Sequence, residues 1–286
     1  MASSFEIAPL DASFGAVATG LRLATLDDGA FRALYAAWLE HALLIFPDQR
    51  LSRDEQVAFA RRFGPLEFNL APISNVKADG SLRREADNDD VIKVLKGNMG
   101  WHADSTYMPV QAKGAVFSAQ VTPAAGGETG WADMRAAYDA LEPALRARVE
   151  GLSAHHSLRH SQSKLGHRPG SGPSEYSGYG FHDGPEPLRP LVKTHPETGR
   201  KSLAIGRHAH DIPGLPAEES ERLLEDLVDF ACRAPRVHHH AWTPGEVVVW
   251  DNRCLLHRAT PWDMTQPRIM WHSRIAGDPA SEAALA

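Results

Sequence analysis

His102 and Asp104 are separated by one residue, and this spacing is suited to holding a metal ion. In an extended segment the side chains of residues i and i+2 point to the same side, so an imidazole nitrogen and a carboxylate oxygen would face one ion. His257 is the candidate for a third ligand. Two histidines and one carboxylate that leave coordination positions open are typical of non-haem iron(II) oxygenases, whereas a closed four-ligand zinc site is structural.

Each of these three residues also has an ordinary structural interpretation. A histidine such as His102 can fill a strand position in a core, and Asp104 can cap a turn or a helix. His257 is one of 15 histidines, so the choice of a third ligand has many competitors. The H-x-D spacing alone therefore leaves both interpretations open.

Arg268 follows His257 and begins a strand-like segment that extends to Ile275. Alternation in a strand places Arg268, His272 and Arg274 on one face. The planar guanidinium of an arginine grips a carboxylate through two hydrogen bonds, so this face could bind an organic acid. A surface ion pair is the alternative interpretation of Arg268.

Length and composition place the chain among ordinary globular proteins. It has 286 residues, of which 43% are hydrophobic and 23% are charged, and these fractions are typical of soluble domains. The net charge of −6 gives no basic excess for nucleic acid or an anionic membrane. Neither an apolar run of membrane-spanning length nor a secretory signal is present. Two cysteines exclude a disulfide framework, and we expect a cytoplasmic protein.

Hydrophobic periodicity and capping residues predict a mixture of helices and strands. Helices are predicted over 27–41, 52–64, 133–149 and 216–233, and strands over 5–7, 16–21, 43–46, 91–95, 115–121, 246–250 and 268–275. The strands do not alternate regularly with helices, which argues against a doubly wound parallel sheet. Glycine-rich nucleotide-binding motifs are also absent from the sequence.

The segment 155–190 contains many His, Ser, Gly and Pro residues and few apolar ones. Such a long irregular segment is typically an active-site lid or a disordered insert, and we expect a lid. The tail from Asp278 is small and polar, so we expect it to fray. The run His238–His240 is expected to form a solvent-facing turn. No linker divides the chain, and residues 1–286 are predicted to form one domain.

The order of these motifs resembles the TauD/TfdA family of Fe(II)- and 2-oxoglutarate-dependent dioxygenases. The family pattern is H-x-D, a distal histidine and then an arginine, here within Trp101–Tyr107 and at His257 and Arg268. A second block, Gly126–Met134, is similar to the family stretch G-G-x-T-x-[FW]-x-[DS]-M. The resemblance extends over nearly the whole chain, from the amino-terminal helix to Arg274.

This resemblance implies roles for individual residues. His102, Asp104 and His257 would bind Fe(II), while Arg268 and the hydroxyl of Thr129 would hold the C5 carboxylate of 2-oxoglutarate. The other end of 2-oxoglutarate would chelate the iron, and O2 would be the second co-substrate. The implied fold class is α+β, mainly β, with a double-stranded β-helix (jelly roll, cupin-like) core and flanking helices.

The residue that holds the substrate is less constrained by the resemblance. Many relatives bind an acid with an arginine four residues after the 2-oxoglutarate arginine, but this position is His272 here. Arg274, Lys77 and Arg207 are the remaining candidates for binding a substrate anion. A solvated surface charge is the alternative interpretation of each.

Several blocks, over 71–80, 98–109, 161–167 and 205–210, resemble the aryloxyalkanoate branch, whose members cleave (S)-2-aryloxypropionates such as dichlorprop and mecoprop. Hydroxylation of the ether carbon there gives a phenol and pyruvate, with succinate and CO2. The resemblance thus implies a small carboxylic acid substrate and, by analogy, a homo-oligomer. Alternatives within the class are an N-acyl (N-succinyl) amino acid hydroxylase and a sulfonate or sulfate-ester dioxygenase. Alternatives outside it are a catalytically silent jelly-roll binding protein and a zinc hydrolase.

Overall fold

Antiparallel strands dominate the centre of the molecule, which we describe from a computed structural model over residues 5–166, 179–181 and 184–285. The strands of this part are β1 Glu6–Pro9, β2 Ala16–Thr19, β3 Leu43–Phe46, β4 Leu66–Ser74, β5 Gly114–Val121, β6 Thr129–Asp133, β7 Ser153–His156, β8 Leu188–Pro190, β9 Val192–Thr194, β10 Lys201–Leu203, β11 Ala209–His210, β12 Val237–His240, β13 Val247–Asp251, β14 Leu255–Ala259 and β15 Ile269–Ile275.

The α-helices of the same part are distributed among the strands along the chain. They are α1 Asp28–His41, α2 Arg53–Arg61, α3 Asp90–Gly97, α4 Met134–Asp139, α5 Pro143–Glu150, α6 Leu158–Ser163, α7 Ala217–Ala231 and α8 Pro279–Glu282. Local capping explains two of the early ones. Asp27 accepts a hydrogen bond from the Ala30 amide at the start of α1, and Ser52 and Glu55 form a reciprocal capping box at the start of α2.

Two sheets pack face to face and enclose one of the apolar cores. The larger sheet has the strand order β1-β2-β3-β13-β5-β15-β4, and the smaller has the order β12-β6-β14. Phe117 and Trp250 of the larger sheet meet Trp131 and Leu255 of the smaller one in a single buried cluster. The pairs of the larger sheet are antiparallel except β2 with β3. This sandwich is the arrangement expected of a jelly roll rather than of a doubly wound sheet.

Helices cover the outer faces of both sheets. On the larger sheet, Trp38 of α1 and Phe59 of α2 pack with Val116 and Val249. On the smaller sheet, α4, α5 and α7 bury a separate cluster that includes Tyr138 and Leu227. The sheets are therefore held rigidly from both sides, which is what a precise site between them requires.

Several sequence-based predictions of local structure are wrong. Val91–Leu95 lies in helix α3 rather than a strand, because Asp89 caps the first turn by accepting from the Val91 and Ile92 amides. The predicted helix over 133–149 is two helices, and Pro143 begins the second. His238–His240 is part of β12 and pairs with β6 instead of forming a turn.

The tail is ordered by specific contacts, contrary to the prediction that it frays. Glu282 is 1% exposed and forms an ion pair with Lys193. The Leu285 amide donates to the Leu188 carbonyl at 2.8 Å. A short polar tail can thus be fixed by one buried charge pair and a β-bridge, which composition alone does not reveal.

The predicted lid over 155–190 begins and ends in regular structure. β7 pairs with β8 and with β11, so both ends of the segment belong to one small sheet. Residues 167–178 and 182–183 of the predicted lid lie outside the described part of the chain. Among the helices that are described, none has the length and hydrophobicity needed to cross a membrane.

Candidate active site

Backbone pairing brings the two candidate histidine ligands together. The His102 amide donates to the His257 carbonyl at 3.0 Å, and the His257 amide donates to the His102 carbonyl at 2.7 Å. His257 belongs to β14, whereas His102 forms only this isolated bridge and Asp104 begins a turn. His102 and Asp104 therefore do not lie in a regular strand, although their side chains still converge.

The donor atoms of His102, Asp104 and His257 form a compact buried group. All three lie within 4.8 Å of one another, and each residue is at most 9% exposed. His257 Nε2 lies 3.8 Å from Asp104 Oδ2. The structure thus brings together the three residues that the sequence singled out as metal ligands.

The chemical state of these donors fits a divalent metal. His102 Nδ1 lies 2.7 Å from the Gly100 carbonyl, which can only accept, so Nδ1 carries the proton and Nε2 keeps its lone pair. Burial lowers the pKa of His102 to about 3 and that of His257 to about 4, so both rings are neutral at pH 7. Asp104 Oδ2 is buried with no hydrogen-bond partner. Two neutral imidazoles and one unpaired carboxylate oxygen suit iron(II) with open positions.

Arg274 fixes the other oxygen of the ligand carboxylate. Its Nη2 donates to Asp104 Oδ1 at 2.9 Å, and its Nη1 donates to Ser105 Oγ at 3.2 Å. Burial opposes the ionisation of Asp104, but the charge of Arg274 leads the opposing effects and keeps the pKa of Asp104 below its ordinary value. Arg274, a sequence candidate for substrate binding, therefore already has an anionic partner.

Arg268 presents a buried cation without such a partner. Its Nε donates to the Gly127 carbonyl at 3.0 Å, and its backbone amide donates to Asn75 Oδ1 at 2.8 Å. The residue is 2% exposed, and no carboxylate pairs with it among the described residues. A Cβ at position 127, where φ is +68°, would lie 3.1 Å from Arg268 Cδ, so glycine makes room for this side chain. An anion such as a co-substrate carboxylate would compensate the buried charge.

Thr129 is buried two residues after Gly127, and its hydroxyl oxygen already accepts one hydrogen bond. Trp242 Nε1 donates to Thr129 Oγ1 at 2.9 Å, so the hydroxyl hydrogen of Thr129 remains available to an acceptor. Sequence reasoning did not identify Trp242. The register of β12 on β6 could have indicated it. In this register His240 pairs with Thr129, and Trp242 lies two residues after His240.

Arg207 and Lys77 occupy different environments. Arg207 Nη2 donates to the Ser161 carbonyl at 3.1 Å, and its amide donates to the Trp101 carbonyl at 2.8 Å. Burial lowers the pKa of Arg207 to about 10, and the described residues offer it no carboxylate. Lys77 lies in a hairpin turn, where its amide donates to the Ser81 carbonyl. Arg207 is thus a partly buried arginine that has no anionic partner among the described residues, close to the candidate ligand His102.

The described part of the predicted lid approaches the candidate metal ligands through Tyr179. Its hydroxyl lies 2.9 Å from Ser105 Oγ and also hydrogen-bonds Glu67. The Arg274 guanidinium packs 5.2 Å from the centre of the Tyr179 ring. The segment therefore touches the residue next to Asp104 and the arginine that holds it.

A buried centre of two neutral histidines and one ionised carboxylate inside a helix-flanked jelly roll is typical of a non-haem iron oxygenase. The chain belongs to the TauD/TfdA dioxygenases, since it matches the family described as "Taurine catabolism dioxygenase TauD, TfdA family" over residues 6–274. Membership confirms the predicted fold and the predicted enzyme class, an iron dioxygenase that uses 2-oxoglutarate and O2 with a small-molecule substrate. The interpretations as a silent binding protein or a zinc hydrolase find no support in this family.

Individual relatives agree with this placement. The chain is 73% identical over 286 residues to an (S)-phenoxypropionate/alpha-ketoglutarate-dioxygenase of Sphingobium herbicidovorans, with all of both chains covered. It is 63% identical over 290 residues to a protein of the same name from Delftia acidovorans, with 99% of each covered. The solved structure of AAD-2 in complex with Mn(II) and N-oxalylglycine has a TM-score of 0.89 at 34% identity, covering 99% of each chain.

Proposed function

We propose that this enzyme hydroxylates the ether carbon of (S)-2-aryloxypropionates and so releases a phenol and pyruvate, with succinate and CO2 as co-products. The observation that carries the proposal is that Arg268, which is buried, and Arg207, which is partly buried, have no carboxylate partner among the described residues. The reaction brings two organic acids together, 2-oxoglutarate and the substrate. The names of the relatives at 73% and 63% identity support this choice of substrate.

In this proposal, His102, Asp104 and His257 hold the iron. When bound, Fe(II) supplies the activation of O2 that is coupled to the decarboxylation of 2-oxoglutarate. Arg268 pairs with the C5 carboxylate of 2-oxoglutarate, and Thr129 donates its hydroxyl hydrogen to the same group. These contacts fix one end of the co-substrate, so its reactive end is presented to the ligand residues in one orientation.

Arg207 is assigned to the carboxylate of the substrate. Its guanidinium is partly buried and has no ion pair among the described residues, and its backbone amide donates to the carbonyl of Trp101, the residue before His102. Arg274 is assigned instead to the positioning of Asp104, because its guanidinium is already bound there. Lys77 has no ion pair among the described residues and is the weaker candidate for an anion contact.

The proposed reaction balances without a side chain acting as acid or base. One oxygen atom of O2 replaces the C–H hydrogen of the ether carbon as a hydroxyl group, and the other enters succinate. In the resulting hemiketal the bond between the former ether carbon and the phenolic oxygen breaks. The phenolic oxygen keeps its bond to the ring and takes the hydroxyl proton, so a phenol leaves and the carbon that bore the hydroxyl becomes the keto group of pyruvate. The chain needs only to hold both acids and to exclude competing reactions.

The wider setting of the enzyme is part of the same proposal. Residues 1–286 form one domain, and the segment 155–190 acts as a lid, which the contact of Tyr179 with Ser105 supports. The net charge of −6 supports the absence of nucleic acid and membrane partners. A cytoplasmic homo-oligomer completes the proposal, by analogy and from the two cysteines.

Oxygen uptake with Fe(II), ascorbate and 2-oxoglutarate tests the substrate directly. The panel comprises (R)- and (S)-2-aryloxypropionates, aryloxyacetates, N-succinyl amino acids, alkyl sulfonates and alkyl sulfates, with phenol and succinate measured in parallel. We expect phenol and succinate in equal amounts, with faster turnover of (S) than of (R) substrates. Substrate-dependent succinate with an N-succinyl amino acid or a sulfate ester, and none with aryloxypropionates, would overturn the proposal.

The assignment of Arg207 is tested by Arg207→Met. Losing a charge-assisted pair with the substrate carboxylate should raise the KM for the aryloxypropionate by roughly 10- to 100-fold, while the KM for 2-oxoglutarate changes little. Arg222, which is exposed on α7, provides the control Arg222→Met. An unchanged substrate KM in the folded Arg207 variant would remove the assignment.

A further inference from the structure

Two fully buried asparagines hydrogen-bond the backbone of residues in the candidate site. Asn252 lies in the turn between β13 and β14 and is 1% exposed, and Asn75 follows β4 and is 0% exposed. A buried side-chain amide is costly unless both its oxygen and its nitrogen are hydrogen-bonded. The partners of these two amides therefore indicate which segments each asparagine holds in place.

Asn252 bonds to both polar groups of the Asp104 backbone. The Asp104 amide donates to Asn252 Oδ1 at 2.7 Å, and Asn252 Nδ2 donates to the Asp104 carbonyl at 2.9 Å. Nδ2 also donates to the Ala112 carbonyl at 2.9 Å. The backbones of His102 and His257 exchange two hydrogen bonds in the same way. The planar amide of Asn252 thus takes the place of a peptide group and continues this pairing at Asp104.

The backbone beside Asp104 has a conformation that requires such a restraint. Ser105 has a φ of +57°, in the left-handed region that residues other than glycine seldom adopt. A conformation of this kind persists only where the surrounding contacts determine it. Asn252 fixes the peptide groups on both sides of the Asp104 Cα, and it therefore sets the direction in which the carboxylate leaves the backbone.

Asn75 holds the backbone of Arg268 in a similar way. The Arg268 amide donates to Asn75 Oδ1 at 2.8 Å, and the Asn75 amide donates to the Arg268 carbonyl at 3.4 Å. Asn75 Nδ2 donates to the carbonyls of Met264 and Gln266 at 3.0 and 2.9 Å. Both peptide groups around the Arg268 Cα are therefore fixed, together with the loop that leads to it.

The two asparagines form a matched pair. Each side chain makes three hydrogen bonds, and every partner is a main-chain group. Neither amide bonds to the Asp104 carboxylate or to the Arg268 guanidinium. Each asparagine therefore acts on the position of a charged side chain and leaves its ligand-binding atoms free.

We propose that Asn252 and Asn75 are positioning residues that serve different ligands. Asn252 orients the Asp104 carboxylate for the metal, and Asn75 orients the Arg268 guanidinium for the C5 carboxylate of 2-oxoglutarate. This inference rests on the function proposed above, which assigns those ligands to Asp104 and Arg268.

The test compares Asn252→Ala with Asn75→Ala, so that each variant is the control for the other. Calorimetry measures the affinity for Mn(II) alone and then the affinity for N-oxalylglycine at saturating Mn(II). We expect Asn252→Ala to weaken Mn(II) binding about tenfold or more, and Asn75→Ala to change it less than about threefold. Asn75→Ala should weaken N-oxalylglycine binding about tenfold, and Asn252→Ala should weaken it less.

Urea unfolding in parallel separates positioning from general stability. Because each change to alanine removes three buried hydrogen bonds, the two variants should lose similar stability. A purely structural role would therefore lower both affinities in parallel in both variants. Asn252→Ser and Asn75→Ser, which keep a hydroxyl donor and acceptor, extend the test if an alanine variant does not fold. They should show the same order with smaller effects.

The wild type and Arg268→Met separate failure of this inference from failure of the site assignments. A wild type that does not bind Mn(II), or an Arg268→Met variant that binds N-oxalylglycine as tightly as the wild type, would remove those assignments themselves. If both controls behave as assigned, equal losses of Mn(II) affinity in the two asparagine variants would overturn the inference. A folded variant that keeps wild-type affinity for its own ligand would overturn the role of that asparagine.

Discussion

Two buried clusters of histidine and aspartate in this chain offer similar metal-binding atoms but differ in hydrogen bonding. One leaves a carboxylate oxygen without a partner, and the other is fully hydrogen-bonded within the fold. One is His102, Asp104 and His257, and the other is His195, Asp251 and Cys254, with the donor atoms of each group within 4.8 Å of one another. In the first cluster Asp104 Oδ2 has no hydrogen-bond partner. This difference, rather than the residue types, distinguishes a site prepared for a ligand from a structural network.

The second cluster is closed by its own partners. His195 Nδ1 accepts from the amides of Glu197 and Thr198, so Nε2 carries the proton and lies 3.0 Å from Asp251 Oδ2. Arg253 donates to both oxygens of Asp251, at 2.8 and 2.6 Å. Every strong donor and acceptor of this group is therefore satisfied within the fold, and a metal would have to displace them.

The largest expected effect comes from His257→Ala. This change breaks the first cluster, His102, Asp104 and His257, which we call the open cluster because it leaves a carboxylate oxygen without a partner. Removing one of three ligands should abolish tight metal binding and reduce turnover by at least about 10³-fold. The change removes the packing of the His257 ring against His102 and Trp250. Because His257 Nδ1 has no partner in the fold, no hydrogen bond is lost at this atom, and we expect the metal-free variant to remain folded. Mn(II) titration followed by EPR, with urea unfolding in parallel, measures both quantities. Retained high-affinity Mn(II) binding would contradict the ligand assignment.

The closed cluster should respond in the opposite way to Asp251→Asn. The change removes one of the two carboxylates that pair with buried Arg253 and leaves Glu197 as the other. It should lower the free energy of unfolding by about 3 kcal/mol, the low end of the range for a broken buried pair, while Mn(II) affinity stays unchanged. Burial opposes ionisation, but Arg253 outweighs it and lowers the pKa of folded Asp251. The ionised Asp251 carboxylate therefore stabilises the folded protein above about pH 3.9, the pKa of an aspartate in the unfolded chain. This stabilisation is lost as the pH falls towards the lower pKa of the folded state.

Urea unfolding at pH 7 and at pH 3.5 tests both parts of this prediction. The difference between the wild type and Asp251→Asn should be large at neutral pH and smaller at acidic pH. A variant as stable as the wild type at pH 7, or one that loses Mn(II) binding while folded, would show that the second cluster is not purely structural.

Arg274→Met affects the open cluster from outside the ligand set. Without this guanidinium the Asp104 carboxylate is free to rotate, so metal affinity should weaken by about 10- to 100-fold. Arg274→Lys should recover part of the loss, since it keeps a cation near Oδ1. Calorimetric titration with Mn(II) measures the affinity directly. Tighter binding in Arg274→Met would mean that charge repulsion outweighs orientation.

The smallest expected effect follows from Trp242→Phe, which removes one hydrogen bond to Thr129. The KM for 2-oxoglutarate should rise about three- to tenfold, with kcat and the substrate KM little changed. Trp131→Phe is a matched control, because the buried indole nitrogen of Trp131 has no hydrogen-bond partner. Equal effects of the two changes on this KM would assign them to packing.

Local spacing drew attention to His102 and Asp104, which are separated by one residue, but left their role open. The choice of His257 as the third ligand, and the roles of Arg268 and Thr129, followed from the family resemblance. Alternation also placed Arg268 and Arg274 on one face of a strand, and β15 does bury Met270, His272 and Arg274. The sandwich followed from the resemblance rather than from periodicity.

Contacts between distant segments could not be predicted in this way. The pairing of Arg274 with Asp104 joins residues 170 positions apart, and that of Trp242 with Thr129 joins residues 113 positions apart. Both depend on strand register, which the apolar pattern of one strand does not fix. The error at Val91–Leu95 has a local cause, because the cap by Asp89 outweighs the strand preference of a short apolar run.

The most direct test of the difference between the two clusters is to locate the metal by anomalous X-ray diffraction in crystals grown with Mn(II) and N-oxalylglycine. Our account predicts one strong manganese peak, bounded by His102, Asp104 and His257, with the inhibitor carboxylate at Arg268. It predicts no peak between His195, Asp251 and Cys254. Manganese at the second cluster, or its absence from the first in metal-loaded crystals, would contradict the account.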